Sequence, residues 1–259
     1  MSERGIKWRE GLEWFCGEPL SCQPTKEELS RDRGYRPACA IGLLSLLAGL
    51  LLFILLKPKM DNGTTLGMLL LSLMPYQLFA FGGCLLALFP MVRREGFAVS
   101  YDFPTPREGF PAMLKASLRF LLLIYPVILV LNAFSSFFCQ TLGISTNEQV
   151  IETLGREGGF LYWLMSGVSS VVFAPVAEEV LIRLVLFRCI RSISPLWAAF
   201  LSSVLFGLMH GQPQYVLSLF FVGLCLQHAR ALGGLPRSIL LHSLYNLLAF
   251  ILLFIHIKG

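Results

Sequence analysis

Four polar side chains in the second half of the chain could together activate a water molecule. Glu178, His210, His242 and Asn246 each lie in otherwise apolar sequence. A carboxylate and an imidazole that share a water can turn it into a nucleophile, either directly or on a bound metal ion. A second imidazole and an amide can stabilise the oxyanion of a tetrahedral intermediate. Each of these roles points to the hydrolysis of an amide or ester bond.

The same side chains offer a ligand set for Zn²⁺. Two histidines and a carboxylate can hold this ion and leave one position for water, which makes Glu178, His210 and His242 the candidate ligands. These residue types do not decide between a zinc site and a metal-free, glutamate-dependent site. The chain contains no GxSxG, HExxH or P-loop motif, so serine hydrolases, zincins and P-loop NTPases lose support.

Three charges stand close together in the apolar stretch APVAEEVLIRLVLFR at residues 174–188. Glu179 and Arg183 are four residues apart with the acid first, the favourable order for an ion pair on one helix face. Glu178 points about 100° away on a regular helix and has no such intrahelical partner. The spacing therefore predicts a supporting pair, Glu179 and Arg183, beside one unexplained acid.

The remaining candidates also occur at helical spacing. Phe206 and His210 are four apart in FGLMH, and His242 and Asn246 are four apart in HSLYN, so each pair lies on one helix face. A helix bundle can gather such groups from separate helices around one site. Two other histidines, at 228 and 256, have no polar companion at helical spacing, and we interpret them as ordinary packing residues.

The elements that must position these groups are predicted to be membrane-spanning helices. Of the 259 residues, 55% are hydrophobic and 14% are charged, whereas soluble domains carry about 25% charged residues. Because a span takes about 20 residues, the composition predicts an all-α, polytopic transmembrane bundle of about seven spans, or eight. The apolar runs lie at residues 38–56, 66–90, 116–142, 160–187, 196–210, 214–229 and 237–257.

The distribution of basic residues predicts the orientation of the bundle. With the N-terminus in the cytoplasm, most Lys and Arg side chains that flank the apolar runs fall on the cytoplasmic side. The net charge of +5 is then explained by this bias, and no nucleic-acid partner is predicted. We expect three parts: a polar cytoplasmic segment at 1–37, N-terminal spans at 38–155 and a catalytic transmembrane domain at 156–259.

Three short motifs resemble a known protease family. EEVLIR at 178–183, FGLMH at 206–210 and HSLYN at 242–246 fit EExxxR, FxxxH and HxxxN in the order found in the CPBP family of intramembrane proteases. This family, also called Abi, includes CAAX-prenyl endopeptidases and bacteriocin-processing or immunity proteins. The resemblance implies that Glu178 and His210 activate the attacking water, while His242 and Asn246 stabilise an oxyanion or bind a metal.

Together, the residues and the resemblance predict an intramembrane endopeptidase in the lipid bilayer, with CAAX-type or leader-peptide processing as candidate activities. Its partner would be a peptide or protein substrate, lipidated in the CAAX case, and a bacterial inner membrane is the expected location. Two alternatives remain: a non-enzymatic immunity or peptide-binding protein on the same scaffold, and a proton-coupled transporter. The transporter is the less favoured, because its polar lining would extend over both halves of the chain and no internal repeat is visible.

Overall fold

The structure, a computed structural model, describes residues 109–144, 159–191 and 194–258, with isolated helical positions between 37 and 51 and at 82 and 89. These ranges contain helices and turns and no strand. Four helices carry the fold: α1 at Gly109–Thr141, α2 over residues 160–191, α3 at Pro195–Met209 and α4 at Val216–Lys258. A short 3₁₀ turn, Pro213–Tyr215, joins α3 to α4.

Helix α1 lies against the bundle along a single face. Its buried residues recur every three to seven positions and follow one stripe: Met113, Ser117, Leu121, Ile124, Ile128, Ser135 and Cys139. The opposite face is apolar but exposed, with Leu122 at 71% and Leu123 at 73% of full exposure. An exposed face of this kind suits a lipid environment, in which apolar side chains carry no cost of hydration.

Helix α2 is continuous but changes its winding. The segments Phe160–Val168, Ala174–Glu178 and Phe187–Arg191 are α-helical, while Ser169–Phe173 and Glu179–Leu186 are π-helical. The wider turns are visible in the hydrogen bonds: the N–H of Ala174 donates to the Ser169 carbonyl, five residues back. The second π-helical segment contains Glu179 and Arg183, where the sequence predicted a regular α-helix, and all eight of its residues are buried. This part of α2 is the centre of the bundle.

Helix α3 has clear start and stop signals. Ser194 caps its first turn by accepting a hydrogen bond from the N–H of Trp197 at 3.4 Å, and Pro195 occupies the first helical position, where no N–H is required. The helix ends at Met209 with His210 as its C-cap, and Gly211 follows with a φ of +64°, the left-handed conformation that commonly terminates helices. Gly211 thus places His210 at the very end of α3.

Helix α4 is a helical hairpin. Gly233 and Gly234 have non-helical backbone angles, and the pair φ 71°, ψ −173° at Gly234 is open almost only to glycine. The chain reverses here, because the Ser238 hydroxyl lies 2.9 Å from the carbonyl oxygen of Leu226, twelve residues earlier. The halves, residues 216–232 and 235–258, therefore run side by side in opposite directions and correspond to two predicted spans.

The predicted spans agree closely with the helices that the structure describes. The run at 196–210 corresponds to Pro195–Met209, and the run at 160–187 corresponds to the helix over 160–191. The predicted 116–142 span begins earlier, at Gly109. Two helical segments in the described part of the chain are long and apolar enough to cross a membrane: Gly109–Thr141 and Pro213–Ile257, the second of which includes both arms of the α4 hairpin. The runs at 38–56 and 66–90 and the polar segment 1–37 lie mostly outside the described residues, so the number of spans stays a prediction.

Candidate active site

The site forms where α2, the end of α3 and the second half of α4 meet. Glu178 is the last residue of the α-helical segment Ala174–Glu178, which lies between the two π-helical segments. Its Oε2 atom lies 3.9 Å from His210 Nε2 and 3.9 Å from His242 Nε2. Glu178 and His242 are buried, while the His210 side chain is 29% exposed and forms the open side of the group. Two histidines from two other helices thus converge on one carboxylate oxygen of Glu178.

The hydrogen bonds of the two imidazoles assign their tautomers. His210 Nδ1 lies 2.7 Å from the carbonyl oxygen of Phe206, and His242 Nδ1 lies 3.2 Å from Glu179 Oε1. Both partners are acceptors, so each Nδ1 carries the proton and a neutral ring presents a lone pair at Nε2. Glu178 Oε2 is itself buried without a hydrogen-bond partner among the described residues. Three acceptor atoms therefore lie close together: Glu178 Oε2 and the Nε2 atoms of His210 and His242. A water that donates its protons, or a cation, would satisfy them.

Glu179 is the most connected acid of the site. Its Oε2 accepts a hydrogen bond from the Ser238 hydroxyl at 2.5 Å, and its Oε1 accepts from His242 Nδ1. Arg183 Nε lies 3.7 Å from Glu179 Oε2, with both side chains fully buried. The two adjacent glutamates therefore approach the same imidazole from its two nitrogens: Glu178 faces Nε2 of His242 and Glu179 binds Nδ1.

Arg183 is held mainly by groups from other helices. Its Nη2 donates to the carbonyl oxygen of Gly223 in α4 at 3.1 Å, and its guanidinium carbon lies 4.9 Å from the centre of the Phe206 ring. Such a cation–π contact is strengthened where water is excluded. The spacing predicted a pair with Glu179, and the structure adds these two contacts across the bundle.

Phe206 forms the apolar floor of the site. Its ring is fully buried and meets the imidazoles of His210 and His242 edge-on, with centroid distances of 4.9 and 5.4 Å. The Phe206 ring therefore touches Arg183 and both histidines, while the Phe206 carbonyl oxygen sets the tautomer of His210. A single residue thus fixes the relative positions of three polar side chains.

Asn246 is placed differently from the other predicted site residues. Its Nδ2 donates to the carbonyl oxygen of Ser170 at 2.8 Å, in the π-helical segment Ser169–Phe173. Asn246 therefore joins the second half of α4 to the outer part of α2. The other predicted site residues contact one another directly: Glu178, Glu179, Arg183, Phe206, His210 and His242. One of its two amide protons is used in this contact.

The donors near Glu178 are of the kind that zinc binds, but their spacing is wider than a zinc site requires. Zn–N and Zn–O bonds of about 2.1 Å in a tetrahedron place ligand atoms about 3.4 Å apart. Glu178 Oε2 is 3.9 Å from each histidine Nε2. Among the described residues, no group of three His, Cys, Asp or Glu side chains is arranged to hold a metal ion.

Two contributors to the site were not predicted from the sequence. Ser238 lies one helical turn before His242, and Gly223 supplies the carbonyl that binds Arg183. Continuing the HxxxN spacing one turn backwards would have pointed to Ser238, because residues four apart share a helix face. Nothing in the sequence marks Gly223, since its contribution is a backbone oxygen selected by helix packing.

Residues 160–248 match the family model described as type II CAAX prenyl endopeptidase Rce1-like. The matched segment contains all three motifs, and the match confirms the resemblance to the CPBP and CAAX protease family that the motifs indicated. Comparisons with curated proteins and with solved structures gave no match.

Proposed function

Since residues 160–248 match the model of the type II CAAX prenyl endopeptidase Rce1-like family, a family of membrane-embedded proteases, we propose that this protein is an intramembrane endopeptidase. The observation that carries the proposal is the convergence of Glu178 Oε2 with the Nε2 atoms of His210 and His242 at 3.9 Å. The family does not favour the non-enzymatic or transporter interpretations.

In the proposed mechanism Glu178 is the general base. A water between Glu178 and His210 donates one proton to the carboxylate and the other to the His210 Nε2 lone pair, which orients its oxygen toward the substrate. As the water attacks the peptide carbonyl carbon, its first proton passes to Glu178. The protonated Glu178 then gives this proton to the leaving amine nitrogen, and the C–N bond breaks to yield a carboxylic acid and an amine. The proton of the acid, the second proton of the water, passes through His210 Nε2 to solvent, which leaves a carboxylate.

The opposite charge of the reaction develops on the carbonyl oxygen. In the proposal the Nε2 atom of His242 first takes up a proton from solvent and then donates this N–H to the oxyanion, while the Nδ1–H stays bonded to Glu179. The family resemblance also assigns Asn246 to the stabilisation of the oxyanion. Its second amide proton, which the contact with Ser170 leaves available, is the donor in the proposal. Arg183 holds the Glu179 carboxylate in place, and the Phe206 ring packs against both imidazoles and holds their positions.

A zinc-dependent version of the same activity uses the same residues. Glu178, His210 and His242 would hold the ion, which would lower the pKa of a bound water and polarise the peptide carbonyl. Metal analysis of the purified protein, together with inhibition by a chelator, distinguishes this version from direct activation by Glu178. A stoichiometric metal whose removal abolishes cleavage would replace the metal-free mechanism.

The proposed substrate is a protein with a prenylated C-terminal CaaX sequence, as the family description suggests. A leader peptide is the other candidate, and the described residues contain no feature that selects it. We place the protein in a cell membrane as a multi-pass protein, with the bacterial inner membrane as the expected compartment.

The test compares Glu178→Gln with wild-type protein, purified and reconstituted in bilayers, on a farnesylated peptide ending in a CaaX sequence. The neutral amide cannot take a proton from water, so we expect kcat to fall by about 10²- to 10⁴-fold. His210→Ala should cause a loss in the same range, while His256→Ala, at an exposed position of α4, is the matched control. Release of the terminal tripeptide is measured by mass spectrometry. Full activity of Glu178→Gln would refute the mechanism.

A further inference from the structure

Ser238 occupies a junction between the two halves of α4 and helix α2. It is fully buried, and its hydroxyl oxygen lies 2.5 Å from Glu179 Oε2 and 2.9 Å from the carbonyl oxygen of Leu226. The first contact joins α4 to α2, and the second joins the two arms of the hairpin. Ser238 is outside the three sequence motifs and has no role in the mechanism given above.

The single hydroxyl proton of Ser238 has two possible acceptors. Leu226 lies inside the first arm of α4, where the helix already supplies its carbonyl with a backbone N–H donor. Glu179 is a buried carboxylate, and hydrogen bonds to a charged acceptor are about twice as strong as neutral ones. Glu179 Oε2 is therefore the preferred acceptor of this proton, and the Leu226 carbonyl is the weaker one.

The orientation of Glu179 in turn sets the state of His242. Ser238 and His242 are four residues apart on one face of α4, and they bind the two oxygens of the same carboxylate. Because Ser238 fixes Oε2 of Glu179, the other oxygen, Oε1, faces His242 Nδ1 and keeps the proton on that nitrogen. The Nε2 atom of His242 then faces Glu178. Arg183, at 3.7 Å, neutralises the carboxylate but is too distant to fix its rotation.

We propose that Ser238 is a positioning residue of the peptidase: its hydroxyl holds the Glu179 carboxylate in the rotation that directs His242 Nε2 into the active site. The inference rests on the proposed function and deepens it. Ser238 acts through Glu179 and His242 and does not contact the substrate.

The test is Ser238→Ala in the reconstituted protein, with kcat and KM measured separately on the farnesylated CaaX peptide. The substitution removes one oxygen atom and leaves the side-chain volume almost unchanged, so the bundle should remain folded. We expect kcat to fall by about 10- to 100-fold, as is usual when a side chain that orients a catalytic ligand is lost, with KM unchanged. Ser238→Thr, which retains the hydroxyl, should restore kcat.

The matched control is Ser202→Ala. Ser202 is equally buried, but its hydroxyl donates only to the Ala199 carbonyl in its own helix, at 3.2 Å. A wild-type kcat in Ser238→Ala would overturn the inference, and so would an equal loss in Ser202→Ala. Wild-type protein and Glu178→Gln are measured in the same assay. If the wild type cleaves the peptide and Glu178→Gln does not, the proposed function stands, and an unaffected Ser238→Ala then refutes the positioning role alone.

Discussion

The two adjacent glutamates illustrate what spacing along one helix can and cannot reveal. The i, i+4 rule predicted that Arg183 would lie beside Glu179, and the side chains do approach within 3.7 Å. The rule says nothing about other helices, and the hydrogen bonds of this pair go to Ser238, His242 and the Gly223 carbonyl. These contacts depend on how the helices pack, which the residue pattern of one helix does not encode.

The burial of Arg183 leads to a prediction about stability. The side chain is 0% exposed and balances the charge of Glu179, so replacing it with methionine leaves a buried carboxylate without its counter-charge. We expect Arg183→Met to lower the free energy of unfolding by about 3–5 kcal/mol. Thermal unfolding in detergent measures the change, and Arg119→Met, at an exposed position of α1, is the control.

The Glu179→Gln/Arg183→Met double variant separates charge from packing. Removing both charges leaves no uncompensated carboxylate, so the double variant should regain part of the stability lost in Arg183→Met. If Arg183→Met is no less stable than Arg119→Met, the counter-charge role assigned to Arg183 is wrong.

At the scale of elements, apolar runs predicted where helices lie but not how they are wound. The run at 196–210 differs from α3, Pro195–Met209, by a single residue at each end. The π-helical segments of α2 were not predicted, because a nearly continuous apolar sequence gives no period from which to distinguish 3.6 residues per turn from a wider turn. Glu178 lies between these segments, and its Oε2 comes within 3.9 Å of His242 Nε2 on α4.

The close contact between α3 and α4 depends on Gly207. A Cβ atom at this position would lie 2.8 Å from the carbonyl oxygen of Val216, a backbone atom that cannot turn aside. Gly207→Ala must therefore separate α3 from α4, and His210 is one turn away on α3. We expect a destabilisation of about 1–3 kcal/mol together with reduced peptidase activity.

Thermal unfolding and tripeptide release from the same preparations measure the effect of Gly207→Ala. Gly159→Ala is the control, because no atom lies within 4 Å of a Cβ built at Gly159 and its φ of −76° suits any residue. Equal stability of Gly207→Ala and Gly159→Ala would show that the two helices are not in the close contact described.

Apart from Lys258 at the end of α4, the charged residues that the structure describes lie inside the bundle or at one of its ends. Among the described residues the only acids are Glu178 and Glu179, both inside the bundle. The ring contacts of Phe120 with His228 and of Arg230 with Phe187 place the start of α1, the end of α2 and the turn of α4 at one level. This end carries six basic residues: Lys115, Arg119, Arg188, Arg191, Arg230 and Arg237.

The basic end of the bundle is expected to face the cytoplasm, because Lys and Arg are enriched on that side of membrane proteins. Helix α1 has 33 residues and is about 50 Å long, so both of its ends should project beyond a hydrocarbon core of about 30 Å.

Ala112 and Gln140 are exposed near the two ends of α1. Single cysteines at these positions, in an active variant whose seven native cysteines are replaced, are labelled with a membrane-impermeant maleimide. We expect Gln140→Cys to react in intact cells and Ala112→Cys only after permeabilisation. The reverse pattern would invert the predicted orientation.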